Sequence, residues 1–256
     1  MEDAKKKLIK QAEKLREKKM FPFSMFNSPD YETSADKFKE AAGMSSKKEE
    51  KIRLLEESAK TYLLNPVEYN RYNCYIIYGE LSDLYKNEPD KFIEYAKLSG
   101  DMALSCNREN LAANAYEKAV DVLISQGNKA EAMELMRKIC ECYDNSCWKH
   151  HHLNSLKRLA FLEFSTGAYE EAAKDYLKLS KNIFVLCAGI CYHLAGIVSD
   201  LDVTGEEEVV YKSLDKDPES IKIAIDMYMD NNAVDKEVRS VLNGCLELLK
   251  PENDIL

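Results

Sequence analysis

The chain has 256 residues, 45% hydrophobic and 32% charged, and a formal net charge of −9. That is long enough to bury a sizeable core, and the composition is that of a globular chain rather than a disordered one. The acidic balance and the lack of a strong basic patch exclude nucleic acid as an expected partner.

Glycine (9) and proline (6) are scarce. Apolar residues recur at i, i+3, i+4 and i+7, so an all-α fold is expected. The first helix is read from Glu2 to Lys19, with Leu8, Ala12 and Leu15 on one face. Residues 1–20 hold seven lysines and one arginine against four acids, a net +4. They lead into "MFPFSMF", Met20 to Phe26, with five large apolar residues in seven. Pro22 and Asn27-Ser28-Pro29 keep this stretch out of a helix. One reading packs Phe21 or Phe23 as a staple under the first helix pair. The other makes Phe21, Phe23, Met25 and Phe26 a membrane-binding loop (20–28). Each phenylalanine fully transferred from water contributes roughly 1.5–3 kcal/mol, and each nearby base about 1 kcal/mol on an anionic leaflet.

Ser28-Pro29-Asp30 reads as a helix start. The helix it opens carries Tyr31, Ala35, Phe38 and Ala42 along one stripe and stops at Gly43. Ser45 or Ser46 opens a third, which Asn65-Pro66 ends. Further helices are expected over 68–86, 90–105, 109–125, 129–143, 149–165, 169–181, 183–199, 206–213, 217–230 and 234–249. Gly79, Gly189 and Gly196 fall inside these spans. The breaks are short, so neighbours pair as antiparallel hairpins. Asn182 to Ser199 has no Asp, Glu, Lys or Arg. Its apolar part is short for a bilayer, which favours a buried helix over a membrane span.

A repeat runs through this pattern. "GAYEEAAKDYLKL" (Gly167–Leu179) aligns with "GNKAEAMELMRKI" (Gly127–Ile139), 40 residues earlier. Gly stands at the turn, Ala at 172 and 132, and a large residue at Tyr176 and Met136. "EPDKFIEYAKLSG" (Glu88–Gly100) is a third copy, with Tyr95 in place of the Ala. Small residues let paired helices approach and large ones fill the groove beside them. The expected fold is a degenerate tetratricopeptide-like α-solenoid of helix hairpins. Residues 1–199 form its rod. Residues 200–256, with fifteen acids against six bases, form an acidic helical cap and tail of the same continuous domain.

Chemistry is sparse. The N-terminus is too charged for a secretory signal core, so the eight cysteines are expected to be reduced and mostly buried in a cytosolic setting. In "CECYDNSCWKHHH" (Cys140–His152) the first two cysteines are two apart and point away from each other on a helix, which is not a zinc spacing. Cys187 and Cys191 share a helix face without a His or Asp partner nearby in sequence. Phosphate-binding, dinucleotide-binding, metalloprotease and nucleophile-elbow motifs are all missing. No enzyme, cofactor or metal is expected.

The order of features resembles the soluble NSF attachment proteins, the SNAP adaptors of vesicle fusion. The basic helix "AEKLREKKM" precedes the loop "FPFSMF". "PDYETSADKFKEAA" is similar to the second-helix motif of the gamma branch, "NSLKRLAFLEFSTGAYEEAAKDYLKL" to the central hairpin, and "LNGCLELLKPENDIL" to the closing helix and acidic tail. The resemblance implies a cytoplasmic, peripherally membrane-associated adaptor. It would line an assembled SNARE complex with its concave face and present its C-terminal end to the hexameric ATPase NSF. By position in the matching segments, Lys157 and Arg158 are the implied SNARE-facing bases. Glu252, Asp254, Ile255 and Leu256 are the implied ATPase contact. Two other classes stay open: a general tetratricopeptide scaffold that binds short peptides, and a helical enzyme or metal protein built around Cys140–His152.

Overall fold

The computed structural model describes residues 2–17, 29–144 and 148–249. Among them are thirteen α-helices, and no strand is present. In chain order they are α1 (Glu2–Arg16), α2 (Tyr31–Gly43), α3 (Lys48–Tyr62), α4 (Glu68–Leu84), α5 (Pro89–Leu104), α6 (Glu109–Ser125) and α7 (Lys129–Asp144). Then follow α8 (Lys149–Phe164), α9 (Tyr169–Leu177), α10 (Asn182–Leu194), α11 (Glu206–Ser213), α12 (Pro218–Asn231) and α13 (Lys236–Leu248). The all-α expectation holds. The contacts divide the chain into two compact units, residues 1–135 and 136–256.

Local chemistry sets most boundaries. Within the expected start Ser28-Pro29-Asp30, Asp30 caps α2, accepting from the Thr33 amide at 3.0 Å; Ser28 lies outside the described residues. Asp217 and Asp235 cap α12 and α13 in the same way, bonding the amides of Ser220 and Val238 at 3.0 Å. Pro89 and Pro218 open their helices where no amide donor is needed. The segment expected over 183–199 stops at Leu194. Gly196 turns left-handed (φ +69°), and the Ile197 amide bonds back to the Tyr192 carbonyl at 2.9 Å, a Schellman stop. Among the described residues no helix is long and apolar enough to cross a membrane.

In the first unit each helix from α1 to α6 packs on the next. A short side chain recurs at these contacts. Ser34 on α2 donates to the Ala12 carbonyl of α1 at 2.7 Å. Ser58 on α3 donates to Ala35 of α2 at 2.7 Å, and the Cys74 thiol on α4 to Ala59 of α3 at 3.6 Å. Ser99 on α5 donates to Tyr75 of α4 at 2.9 Å. Such bonds require the helices to lie close, so the neighbours are small: Ala12, Ala35, Ala41, Ala42 and Ala59 are buried beside Phe38, Leu54, Leu55, Tyr62 and Ile77. The tyrosines extend the same logic. Tyr62 of α3 donates to Asp36 of α2, and Tyr116 of α6 to Asp101 of α5 at 2.6 Å. Ser34-Ala35-Asp36 and Ser99-Gly100-Asp101 are therefore equivalent triplets, each with one residue reaching backward and one forward along the chain.

The second unit packs differently. α8, α9 and α10 follow in sequence, as do α11, α12 and α13, but α13 returns onto both α8 and α10. α10 is the most apolar helix, with Leu186, Cys187, Ala188, Ile190 and Cys191 all buried at its centre. The aligned repeat positions behave alike: Gly127 and Gly167 take φ +78° and +81°, and Ala132, Ala172, Met136 and Tyr176 are buried. All seven described cysteines are buried.

Gly100 tests how tightly the helices approach. A Cβ there lies 2.4 Å from the Tyr116 ring, whereas one at Gly79 meets only Ser99 Oγ at 3.6 Å. Gly100→Ala is expected to destabilise the protein by about 1–3 kcal/mol through overpacking. Gly79→Ala is expected to stabilise it by about 0.5–1 kcal/mol through helix propensity. Denaturation midpoints of the two variants check this, and equal effects of either sign contradict it.

Candidate functional site

Two of the three residue sets singled out from the sequence fall outside the described residues. These are Phe21, Phe23, Met25 and Phe26 of the apolar loop, and Glu252, Asp254, Ile255 and Leu256 of the tail. The third set, Lys157 and Arg158, lies on α8, half-buried.

Lys157 serves the fold. Its Nζ meets Asp235 at 3.2 Å and Glu237 at 2.8 Å, joining α8 to the first turn of α13. Asp235 is also the cap of that helix. Burial pulls the lysine down, but the bonds to Glu237 and Asp235 outweigh it and hold it above the usual value. Burial raises the Asp235 carboxyl, while the Val238 amide and Lys157 lower it further, for a net fall. Two carboxylates thus already answer the charge of Lys157, so a partner here would meet the bridge rather than a lone cation.

Sequence reasoning missed an acid cluster beside this helix. Glu163 of α8 is almost fully buried. Its Oε1 accepts from Arg137 Nη2 on α7 at 2.8 Å, and its Oε2 has no donor. Burial raises the Glu163 carboxyl most, Arg137 opposes this, and the Asp175 carboxylate facing it from α9 raises it further. Both burial and the facing carboxylate thus favour the protonated form of Glu163. Asp175 also accepts from Lys178 at 2.6 Å. Above the cluster is a depression of about 420 Å³ lined by Arg137, Cys140, His152, Leu156, Asp175 and Lys178. The spacing of Glu163 from Asp175 crosses a turn, so no local pattern marks the pair.

The Cys140–His152 segment does not assemble as a metal cluster within the described residues, where no group of three His, Cys, Asp or Glu stands ready to ligate an ion. His152 Nδ1 faces the Cys140 carbonyl at 3.1 Å rather than its thiol. Burial pushes the Cys140, Cys191 and Cys74 thiols up to about 12 and Cys245 to about 11, so these thiols are protonated and poor nucleophiles.

In the first unit a groove of about 320 Å³ runs between α4 and α6 with α5 as its floor. Tyr75 and Ile76 wall one side, Asn114 and Lys118 the other, and Gly79, Ala96, Ser99 and Ala115 keep the floor low. Tyr69, Tyr72 and Ile76 continue an exposed stripe along α4 at i, i+3 and i+7. The stripe lies in "YNRYNCYI" (Tyr69–Ile76), inside the helix expected over 68–86. The arrangement suits an extended or helical segment of another protein. No protein-family model matches the chain, and no curated protein matches it.

The acid pair has a definite pH signature. A carboxyl raised in the folded state contributes stability below its ordinary value and loses it as pH rises through the raised one. Glu163→Gln keeps an acceptor for Arg137 and supplies a permanent donor to Asp175. Its melting temperature relative to wild type is therefore expected to increase as pH rises above the ordinary glutamate value of about 4. A difference that stays constant with pH rules out a raised Glu163 carboxyl.

Proposed function

We propose that this protein is an adaptor of the SNAP type, an α-solenoid of tetratricopeptide-like hairpins closed by a C-terminal helical cap. It binds assembled SNARE complexes at membranes and recruits and stimulates the ATPase NSF for their disassembly in vesicle fusion and intracellular transport. The chain acts in the cytoplasm as a peripheral membrane protein and performs no chemistry itself. The observation that carries this reading is the sequential packing of α1 to α6, with small residues at every contact. A stack of this kind offers a long exposed face, which suits an elongated helical bundle. The uneven charge supports it as well: a net +4 over residues 1–20 suits an anionic surface, and the acid-rich residues 200–256 suit a basic domain.

Within this reading, Lys157 and Arg158 face the SNARE bundle, and Phe21, Phe23, Met25 and Phe26 touch the bilayer. Glu252, Asp254, Ile255 and Leu256 meet the ATPase. Lys157 reaches the bundle as part of its bridge to Asp235 and Glu237, so its reversal carries a cost to the fold that must be measured alongside. The α4–α6 groove favours a second reading, a scaffold for short peptides with no membrane role.

A pull-down with recombinant NSF and an assembled SNARE complex separates the two. The adaptor is expected to be retained only when SNAREs are present, and to bring NSF with it. Removing Ile255 and Leu256 takes away about 3 kcal/mol of apolar contact at most. The shortened protein is expected to bind SNAREs as before and to support much slower disassembly at matched occupancy. Equal rates would show that these residues are passive, and no retention on SNAREs would leave the peptide scaffold as the better account.

A further inference from the structure

The buried stripe of α12 is Ile221, Ala224, Ile225 and Tyr228, at i, i+3, i+4 and i+7. That stripe accounts for the packing of the helix. A second apolar pair, Ile223 (53% exposed) and Met227 (61%), stands four residues apart on the outer face. Beside it runs an acidic stripe, Glu219, Asp226 and Asp230 at i, i+7 and i+11, all exposed. Unlike Glu208, which pairs with Lys212, none of these three acids enters an ion pair among the described residues.

The neighbouring helix adds charge of the same sign. Asn232 Nδ2 donates to Glu206 at 2.6 Å and the Tyr228 hydroxyl to Glu207 at 2.9 Å, which sets the end of α12 beside the start of α11. Val209, one turn into α11, is 65% exposed. Residues 202–231 together hold nine acids against three lysines, a net −6. The helix α13, which packs on α12, is neutral, since Lys236 and Arg239 balance Glu237 and Glu247.

We propose that the outer face of α12 docks a basic amphipathic helix of another protein. The partner's apolar residues pack on Ile223 and Met227, and its lysines or arginines meet Glu219, Asp226 and Asp230. Charge selects this occupant. The acidic hairpin repels an anionic bilayer, and a second copy meeting it face to face sets −6 against −6. Shape selects a helix. Side chains at i and i+4 form one ridge, with a rise of about 6 Å between them, which fits the groove between two ridges of a facing helix. The inference stands on α11 and α12 alone. It goes beyond the SNAP reading, whose contacts in the acid-rich region are the tail residues Glu252, Asp254, Ile255 and Leu256.

The test uses the full chain and a labelled peptide of about 18 residues, or about five turns, with leucine on one helical face and lysine on the other. A second peptide carries glutamate in place of lysine. The apolar variant is Ile223→Ser with Met227→Ser. The charge variant is Glu219→Gln, Asp226→Asn and Asp230→Asn. A control variant removes the same charge from exposed acids of the first unit, Glu32→Gln, Glu40→Gln and Glu49→Gln. The lysine peptide is expected to bind wild type, and to bind the apolar and charge variants each roughly tenfold more weakly. The control variant is expected to bind as wild type does, and the glutamate peptide to bind neither. Because the five substituted residues of the α12 face are exposed, both face variants are expected to melt as wild type does. Whatever their stability, a photoreactive group on the leucine face of the lysine peptide is expected to attach to wild type within residues 206–231. Failure of the lysine peptide to bind wild type overturns the proposal. So does equal weakening in the control variant, which marks unspecific attraction to an acidic chain, and so does attachment outside residues 206–231. An apolar variant that binds as tightly as wild type overturns it too, since charge alone then holds the peptide.

Discussion

A hydroxyl or thiol on one helix, bonded to a carbonyl on the helix before it, recurs across four successive contacts of the first unit. The accepting carbonyls lie in α-helices, so each bond is an addition to the helical ladder, made to an oxygen with a second lone pair. Its net contribution is modest, about 1 kcal/mol. Its geometric demand is larger. A side chain two bonds long reaches a neighbouring backbone only if the helices nearly touch. Alanine and glycine must then stand where larger residues ordinarily pack, and the bulk is moved sideways into Phe38, Tyr62, Ile77 and Tyr116. The small and large residues of the repeat are thus two consequences of one close approach.

The second unit meets the same need for closure by different means. There α13 returns onto α8 and α10, and charge fastens it. Lys157 is held by the cap of α13, so helix initiation and helix docking depend on one cluster. The neighbouring Glu163 sits deeper, bonded by Arg137 and faced by the Asp175 carboxylate. A buried acid that keeps its proton is a neutral hydrogen-bonding group, and this is cheaper than burying two like charges. Ion pairs such as Lys5–Glu50, Arg16–Glu57 and Lys51–Glu80 join helices of the first unit as well, so ionisable groups contribute to the packing of both.

Helix number and most boundaries were legible in the sequence because they follow from local rules: 3.6-residue spacing, aspartate and proline at starts, glycine at stops. The segment ending at Leu194 rather than 199 shows the limit, since an apolar run continued past the glycine that ended the helix. The Ser34 and Ser99 triplets were written in the sequence but carried no meaning until the helices were paired, because a serine facing a carbonyl reads like any polar residue. Glu163 and Asp175 were illegible for a plainer reason: their encounter is made by the turn between α8 and α9. Lys157 was picked out as a charge on a surface, and what decides its character is a pair of acids 78 and 80 residues away in sequence.

Exposed apolar surface is retained at a cost to solubility, and its electrostatic setting limits what can cover it. In the first unit it gathers on turns where Lys60, Arg71 and Arg108 stand among Glu57, Glu68 and Glu109. In the second, Ile223 and Met227 are exposed four residues apart on α12, a helix with Glu219, Asp226 and Asp230 against Lys222 alone. The second setting repels an anionic surface and favours a basic partner, whereas the first, with charges of both signs, favours neither. Charge placement thus restricts what can cover the α12 patch, while the apolar turns of the first unit are left to selection by shape and apolar area.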